Sequence, residues 1–222
     1  MRTYTTGYGG MVLKKLFLVL GALLVLFSFF VWRLPPPVVE PSTSKDNTTP
    51  SIETIVRTIK DQKFETLAAF DADGNLLFET TDLDALGVTM TAEQANQFRE
   101  QGGALVIHNH PSGTSFSGQD LYAEAKRGST RAIVVTWNKI YILTPSWRGW
   151  GDPDALKAAH EQHLEHYAQL VETDDSIITT GQTCWVYDQA VAAVAEEFGL
   201  EYQQIAMKDL FCFHGIQVVT AG

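Results

Sequence analysis

One mixed sheet flanked by helices, an α/β body, is the fold class this sequence predicts. Two observations carry it. Short apolar runs rich in Val, Ile and Leu alternate with capped stretches of helical spacing along residues 53–220. Turn clusters of Asp, Asn and Gly punctuate the apolar runs. With 222 residues, the chain has room for one domain of ordinary size plus accessory segments.

Residues 1–34 read as an N-terminal membrane anchor. Leu16 to Trp32 is a run without charge, and as a helix it spans about 26 Å against a hydrocarbon core of about 30 Å. Leu34 and the stems of Lys14, Lys15 and Arg33 extend that reach, and Trp32 suits the interface. Arg2, Lys14 and Lys15 precede the run and only Arg33 follows closely. This bias predicts a single-pass protein with a cytoplasmic N-terminus and an extracytoplasmic body. A cleaved signal peptide is the alternative, but no small-x-small cleavage site follows the run. Residues 35–52, with three consecutive prolines and a Ser/Thr/Asn stretch, read as a tether that cannot bury a core.

The body begins with a short helix over Ile52–Asp61. Lys63–Phe70 and Asn75–Thr80 read as two strands of a hairpin around Asp71-Ala72-Asp73-Gly74. Thr91 with Gln94 forms a capping box heading a helix that stops at Gly102-Gly103. Ala104–Ile107 is a buried strand running into His108-Asn109-His110-Pro111. A helix opened by Ser117 and stopped by Gly128 follows. Arg131–Trp137 and Ile140–Leu143 make a second hairpin around Asn138-Lys139. Asp152-Pro153 caps a long helix to about Val171, Val186–Phe198 is another, and Ile216–Thr220 is a last strand candidate.

Charge narrows the function. The chain carries −10 overall, yet its first 34 residues hold four cations and no acid, leaving −14 on the remainder. Such a body is a poor counterion for phosphate, so no nucleic-acid partner is expected. Two cysteines make no disulfide framework and no CxxC zinc site.

One constellation carries chemistry, His108 to Asp120. Residues two apart on a strand face the same way, so His108 and His110 present two imidazoles side by side. Gly113 lets the loop turn back, and Asp120 in the first turn of the next helix returns a carboxylate to them. Two His and one carboxylate, with a fourth position open to water, is how catalytic zinc is held. Ser117-x-x-Asp120 also reads as a capping box, and the HxH pair as a solvated strand end. A hydrolytic zinc also needs a base. Glu65, among Phe64, Leu67, Ala68, Ala69 and Phe70, is the best candidate, since a carboxylate there needs a partner. Glu79, Glu93 and Glu100 sit at strand ends or on a polar helix face.

Glu65, His108-x-His110-Pro111, Ser117 and Asp120 resemble the JAMM motif of the JAB/MPN metalloprotease superfamily, and HNHPSG most resembles its RadC-like branch. The likeness extends over about residues 63–146. It implies an MPN/JAB-like sheet, zinc (Zn2+) on His108, His110 and Asp120, and Glu65 as general acid and base. It also implies that Ser117 bonds the oxyanion or orients the water. The sequence departs from the pattern at one place, with six residues between His110 and Ser117 where seven are usual.

Other candidates are weaker. His160, His163 and His166 share a broad helix face that alternates with Glu161 and Glu165, which reads as solvated. Cys184 and Cys212 are either a disulfide or free buried thiols. Asp188 and His214 have no catalytic spacing to Cys184, and Trp147 and Trp150 either line a cleft or pack. The expected organisation is therefore an anchor (1–34), a tether (35–52), a metal-dependent hydrolase domain (53–150) and a mainly helical C-terminal extension (151–222). The expected function is a membrane-anchored zinc metallopeptidase or isopeptidase acting on a protein or peptide, with residues 16–32 in the membrane. The alternative is a non-catalytic MPN-like scaffold module of a membrane complex.

Overall fold

A computed structural model describes residues 50–85, 87–171 and 179–212. Thr48–Gly222 forms one compact unit. Its elements are α1 (Ile52–Ile59), β1 (Thr66–Asp71), β2 (Leu76–Thr81), α2 (Ala92–Glu100), β3 (Gly103–Asn109), α3 (Gly118–Arg127), β4 (Arg131–Val135), β5 (Lys139–Thr144), α4 (Pro153–Val171), α5 (Thr180–Phe198) and β6 (Glu201–Ala206). A 3-10 turn over Met207–Cys212 follows.

The six strands form one sheet in the order β2-β1-β3-β4-β5-β6. Every neighbouring pair is antiparallel except β3 and β4, which run parallel. Parallel neighbours need a crossover, and α3 supplies it. The central strands are buried on both faces, which is why Ala104–Ile107 and Arg131–Val135 read as near-continuous apolar runs. On one face, Ala68, Phe70, Leu105, Ile107, Ile133, Val135, Ile140 and Ile142 pack against Ile55, Val56 and Ile59 of α1. On the other, Ala132, Val134, Tyr141 and Leu143 meet Leu121, Leu156, Ala159, Val191 and Val194 from α3, α4 and α5. Leu67, Ala69 and Val106 on that second face pack with Phe98 of α2.

The mixed α/β reading holds, but the membrane part of it is corrected. Among the described residues no helix is long and apolar enough to cross a membrane. The two longest, α4 and α5 with 19 residues each, carry charged side chains along their length. That overturns the single-pass assignment and, with it, the cytoplasmic N-terminus and extracytoplasmic body. The run from residue 16 to 32 lies outside the described residues.

The C-terminal extension, expected to be mainly helical, contributes a strand that the sequence reading did not identify. β6 pairs antiparallel with β5 from Thr144↔Glu201 to Lys139↔Ala206 and forms the sheet's edge. Its sequence, EYQQIA, has little apolar alternation, so the pattern hides it. The strand candidate Ile216–Thr220 lies outside the described residues. α5 starts at Thr180, six residues before the expected Val186. The missed signal is a capping box between Thr179 and Gln182.

One glycine in this core has no room for a side chain. A Cβ on Gly103, at the start of β3, would fall 2.3 Å from the Phe98 ring, which is itself buried. Gly103→Ala should therefore displace Phe98 and destabilise the protein by about 1–3 kcal/mol in urea unfolding. Unchanged stability would mean that the Phe98 ring moves aside freely.

Candidate metal centre

The candidate centre lies where the parallel strand β3 ends and the crossover helix α3 begins. His108 and His110 stand two apart at the end of β3, on the face covered by α3. Pro111 follows, and the Gly113 amide bonds the His110 carbonyl at 3.0 Å to close a turn. Gly113 has φ +83°, and a Cβ there would meet the Trp137 indole at 3.1 Å, so the turn needs glycine on both counts.

Ser117 is the N-cap of α3 and Asp120 its third residue. The Asp120 amide donates to the Ser117 hydroxyl oxygen at 3.2 Å. In return the Ser117 amide and hydroxyl donate to Asp120 Oδ2 at 2.6 and 2.7 Å. The box fixes the carboxylate, which also faces both imidazoles. His108 Nε2 is 3.4 Å from Oδ1, His110 Nε2 is 3.4 Å from Oδ2, and the two Nε2 atoms are 3.1 Å apart.

These separations suit a small metal ion, the two 3.4 Å contacts being made by different oxygens of Asp120. Ligand bonds of about 2.0–2.2 Å in a tetrahedron put neighbouring donor atoms about 3.3–3.5 Å apart. Among the described residues, His108, His110 and Asp120 are the one such group, with donor atoms within 4.8 Å of one another. The tautomer also fits. His110 Nδ1 lies 3.1 Å from the Thr114 carbonyl and 3.0 Å from that of Ser115, so the proton sits on Nδ1 and Nε2 keeps its lone pair.

Glu65 completes the group. It immediately precedes β1, where the register Leu67↔His108 carries it opposite His110. Its Oε1 is 3.8 Å from His110 Nε2, and the residue is buried. Asn109, between the two histidines, points to the opposite face. Its amide donates to the Phe64 carbonyl at 3.0 Å and its oxygen accepts the Thr66 amide at 2.7 Å. The backbone on either side of Glu65 is thus tied to the strand that bears the histidines. Thr81 adds a hydroxyl bond to the Glu65 carbonyl at 2.8 Å.

The charges are strongly coupled. Burial lifts the Glu65 carboxyl above the usual carboxylate range, against the pull of His110 and His108. Burial would raise Asp120 as well, but the imidazoles, His108 first, hold it well below that range. Burial disfavours a charged His110, yet Asp120 and then Glu65 raise its imidazole above the ordinary value. In the metal-free chain, the His110 contribution is present below the ordinary histidine pKa and lost as pH rises through the raised one. The Asp120 contribution is present above the ordinary carboxylate pKa and lost as pH falls through the lowered one. The pair stabilises the metal-free fold in mildly acidic solution.

The remaining candidates scatter. His163 bonds Glu197 at 3.1 Å and His166 packs on Tyr167, both apart from the centre. His160, expected on a solvated face, is 2% exposed. Burial pushes its pKa down, its Nε2 has no hydrogen-bond partner among the described residues, and the ring packs on Tyr187 of α5. The spacing Leu156, Ala159, His160 along one buried stripe is the signal that marks it as inward. Cys184 is a free thiol whose Sγ lies 3.4 Å from the Gly113 carbonyl. The Cys212 side chain and His214 lie outside the described residues. Asp188 pairs with Lys139 at 2.7 Å. Trp150 is buried and donates to the Ser129 carbonyl at 2.6 Å, whereas Trp147 is exposed. Both tryptophans line a cavity of ≈ 970 Å³ that shares no residue with the one at the metal centre.

The purified protein should take up about one zinc per chain, and His108→Ala or Asp120→Ala should abolish tight binding. Uptake at mildly acidic pH must displace the His110 proton. Calorimetry in buffers of different ionisation heat should then show release of roughly one proton, falling away as pH rises. Uptake without proton release at any pH would contradict the coupling described. No protein-family model matches the chain, and no curated protein matches it.

Proposed function

We propose that this chain is a zinc-dependent hydrolase of peptide or isopeptide bonds, built as in the JAB/MPN metalloproteases that its motif resembles. The observation that carries the reading is the convergence of two imidazoles and one carboxylate, with donor atoms within 4.8 Å of one another and the buried Glu65 beside them.

His108, His110 and Asp120 would hold the ion, which supplies Lewis acidity for water activation and carbonyl polarisation. The Ser115 and Thr114 carbonyls keep His110 in the tautomer that binds through Nε2. Ser117 spends its hydroxyl proton on Asp120 Oδ2 and so sets the carboxylate's direction. To bond an oxyanion it would have to release that contact. Among the described residues, Glu65 is the one carboxylate of the group whose side chain accepts no hydrogen bond; its Oε1 stands 3.8 Å from His110 Nε2. Its pKa, raised by burial, makes it a stronger base than a solvated glutamate. It takes a proton from the attacking water and returns it to the leaving amine, since a base near the operating pH serves both transfers.

Glu65→Gln is nearly isosteric but cannot accept that proton. It should retain about one zinc per chain and lower kcat by about 10²–10⁴-fold on any cleaved peptide. Metal analysis and turnover on a peptide library check this. Near-wild-type turnover would assign the base elsewhere. Zinc binding with no hydrolysis of any library member by the wild type would favour a binding module.

A further inference from the structure

A cavity of ≈ 500 Å³ opens from the metal centre, and its lining includes Glu65, His108, His110 and Asp120. Its floor is one face of α3. Asp120, Ala123, Glu124 and Arg127 all line it, and their spacing of three, four and seven residues is that of a single helical stripe. The stripe leads from the metal donors to a cation. Seven residues at 1.5 Å each place Arg127 about 10 Å along the helix from Asp120.

Arg127 is the only lysine or arginine among the described residues lining this cavity. It is held in place by a carboxylate that has no other task there. Glu124 is 1% exposed. Its Oε1 accepts from Arg127 Nη1 and its Oε2 accepts the Ser129 hydroxyl at 2.7 Å, so both oxygens are occupied. A guanidinium has five N–H donors in a rigid plane, and one edge on Glu124 leaves others for the cavity. The side chain keeps 18% exposure. The opposite end of the cavity carries Glu65, His108, His110 and Asp120.

We infer that Arg127 is a recognition residue for a substrate carboxylate carried a few residues from the scissile bond. This rests on the hydrolase reading of the centre. The carboxylate can come from an acidic side chain or from the substrate's C-terminus.

The test uses the full chain loaded with zinc, with Glu65→Gln in the same chain to stop turnover. The probes are labelled alanine-rich octapeptides with a single Glu or Gln moved along the sequence. A second set ends in a free carboxylate or an amide. Binding is read by fluorescence anisotropy. The Glu peptide of best register should bind about tenfold tighter than its Gln counterpart, a difference of about 1.4 kcal/mol. An advantage of the free acid over the amide would assign the anion to the C-terminus instead. Because removing Arg127 alone strands a buried Glu124 charge, the diagnostic variant is Glu124→Gln with Arg127→Gln. It should erase the preference but keep binding of the Gln peptides, while Glu124→Gln alone should keep the preference. Equal binding of Glu and Gln peptides in every register together with equal binding of acid and amide, a preference surviving in the double variant, or no binding of any probe would overturn the inference. The wild type separates the two readings. Hydrolysis without a carboxylate preference defeats the inference alone. An Arg127-dependent preference without hydrolysis defeats the hydrolase reading and leaves Arg127 as a recognition residue.

Discussion

The register between β1 and β3 is the constraint on which the centre depends. Leu67 opposite His108 carries Glu65 opposite His110. A slip of one residue would send every side chain of β1 to the other face of the sheet. The alternation along β1 guards against this, since Ala68 and Phe70 belong to the core under α1 while Leu67 and Ala69 pack with Phe98. Asn109 adds a polar lock, with bonds to Phe64 and Thr66 on either side of Glu65. Glu65 is thus placed by packing tens of residues away in sequence from the groups it faces.

The second determinant is the loop from His110 to Ser117. Two successive carbonyls on it, those of Thr114 and Ser115, face His110 Nδ1, and the backbone just past it at Gly118 lies against the His160 ring. His160 comes from α4, so the loop is braced from outside as well as from its own strand. This accounts for how six residues set the ring where seven are usual in the family it resembles. The cluster gathers three carboxylates and two imidazoles beside an apolar layer that includes Leu121 and Val134. Such a concentration is costly unless each group has a partner. Ser117 serves Asp120, and Arg127 with Ser129 serves Glu124. Local departure from an otherwise consistent apolar pattern is what a functional site looks like.

Much of this was legible in the residues. The central strands announced themselves as apolar runs and the helices by their caps, because burial and capping leave local signatures. At Ser117-x-x-Asp120 the sequence offered two readings, a capping box and a metal donor, and the structure shows a box whose carboxylate also faces the imidazoles. What was not legible is non-local. β6 is held by its pairing with β5 rather than by its own pattern. His160 turns inward only because α4 packs against α3 there. Arg127 and Glu124 look like an ordinary polar end of a helix until the cavity beside them is known. The membrane assignment was drawn from the apolar run and the charges and Trp32 at its ends, and no helix among the described residues supports it.

The central claim is that His108, His110 and Asp120 form one zinc centre. X-ray absorption at the zinc edge of the loaded protein tests it most directly, because it reads the ligands rather than the activity. The account predicts two imidazole nitrogens and oxygen neighbours, all at about 2.0–2.2 Å, with the imidazole signal reduced in His110→Ala. A sulfur neighbour at about 2.3 Å, or a shell of oxygens without imidazole, would contradict it.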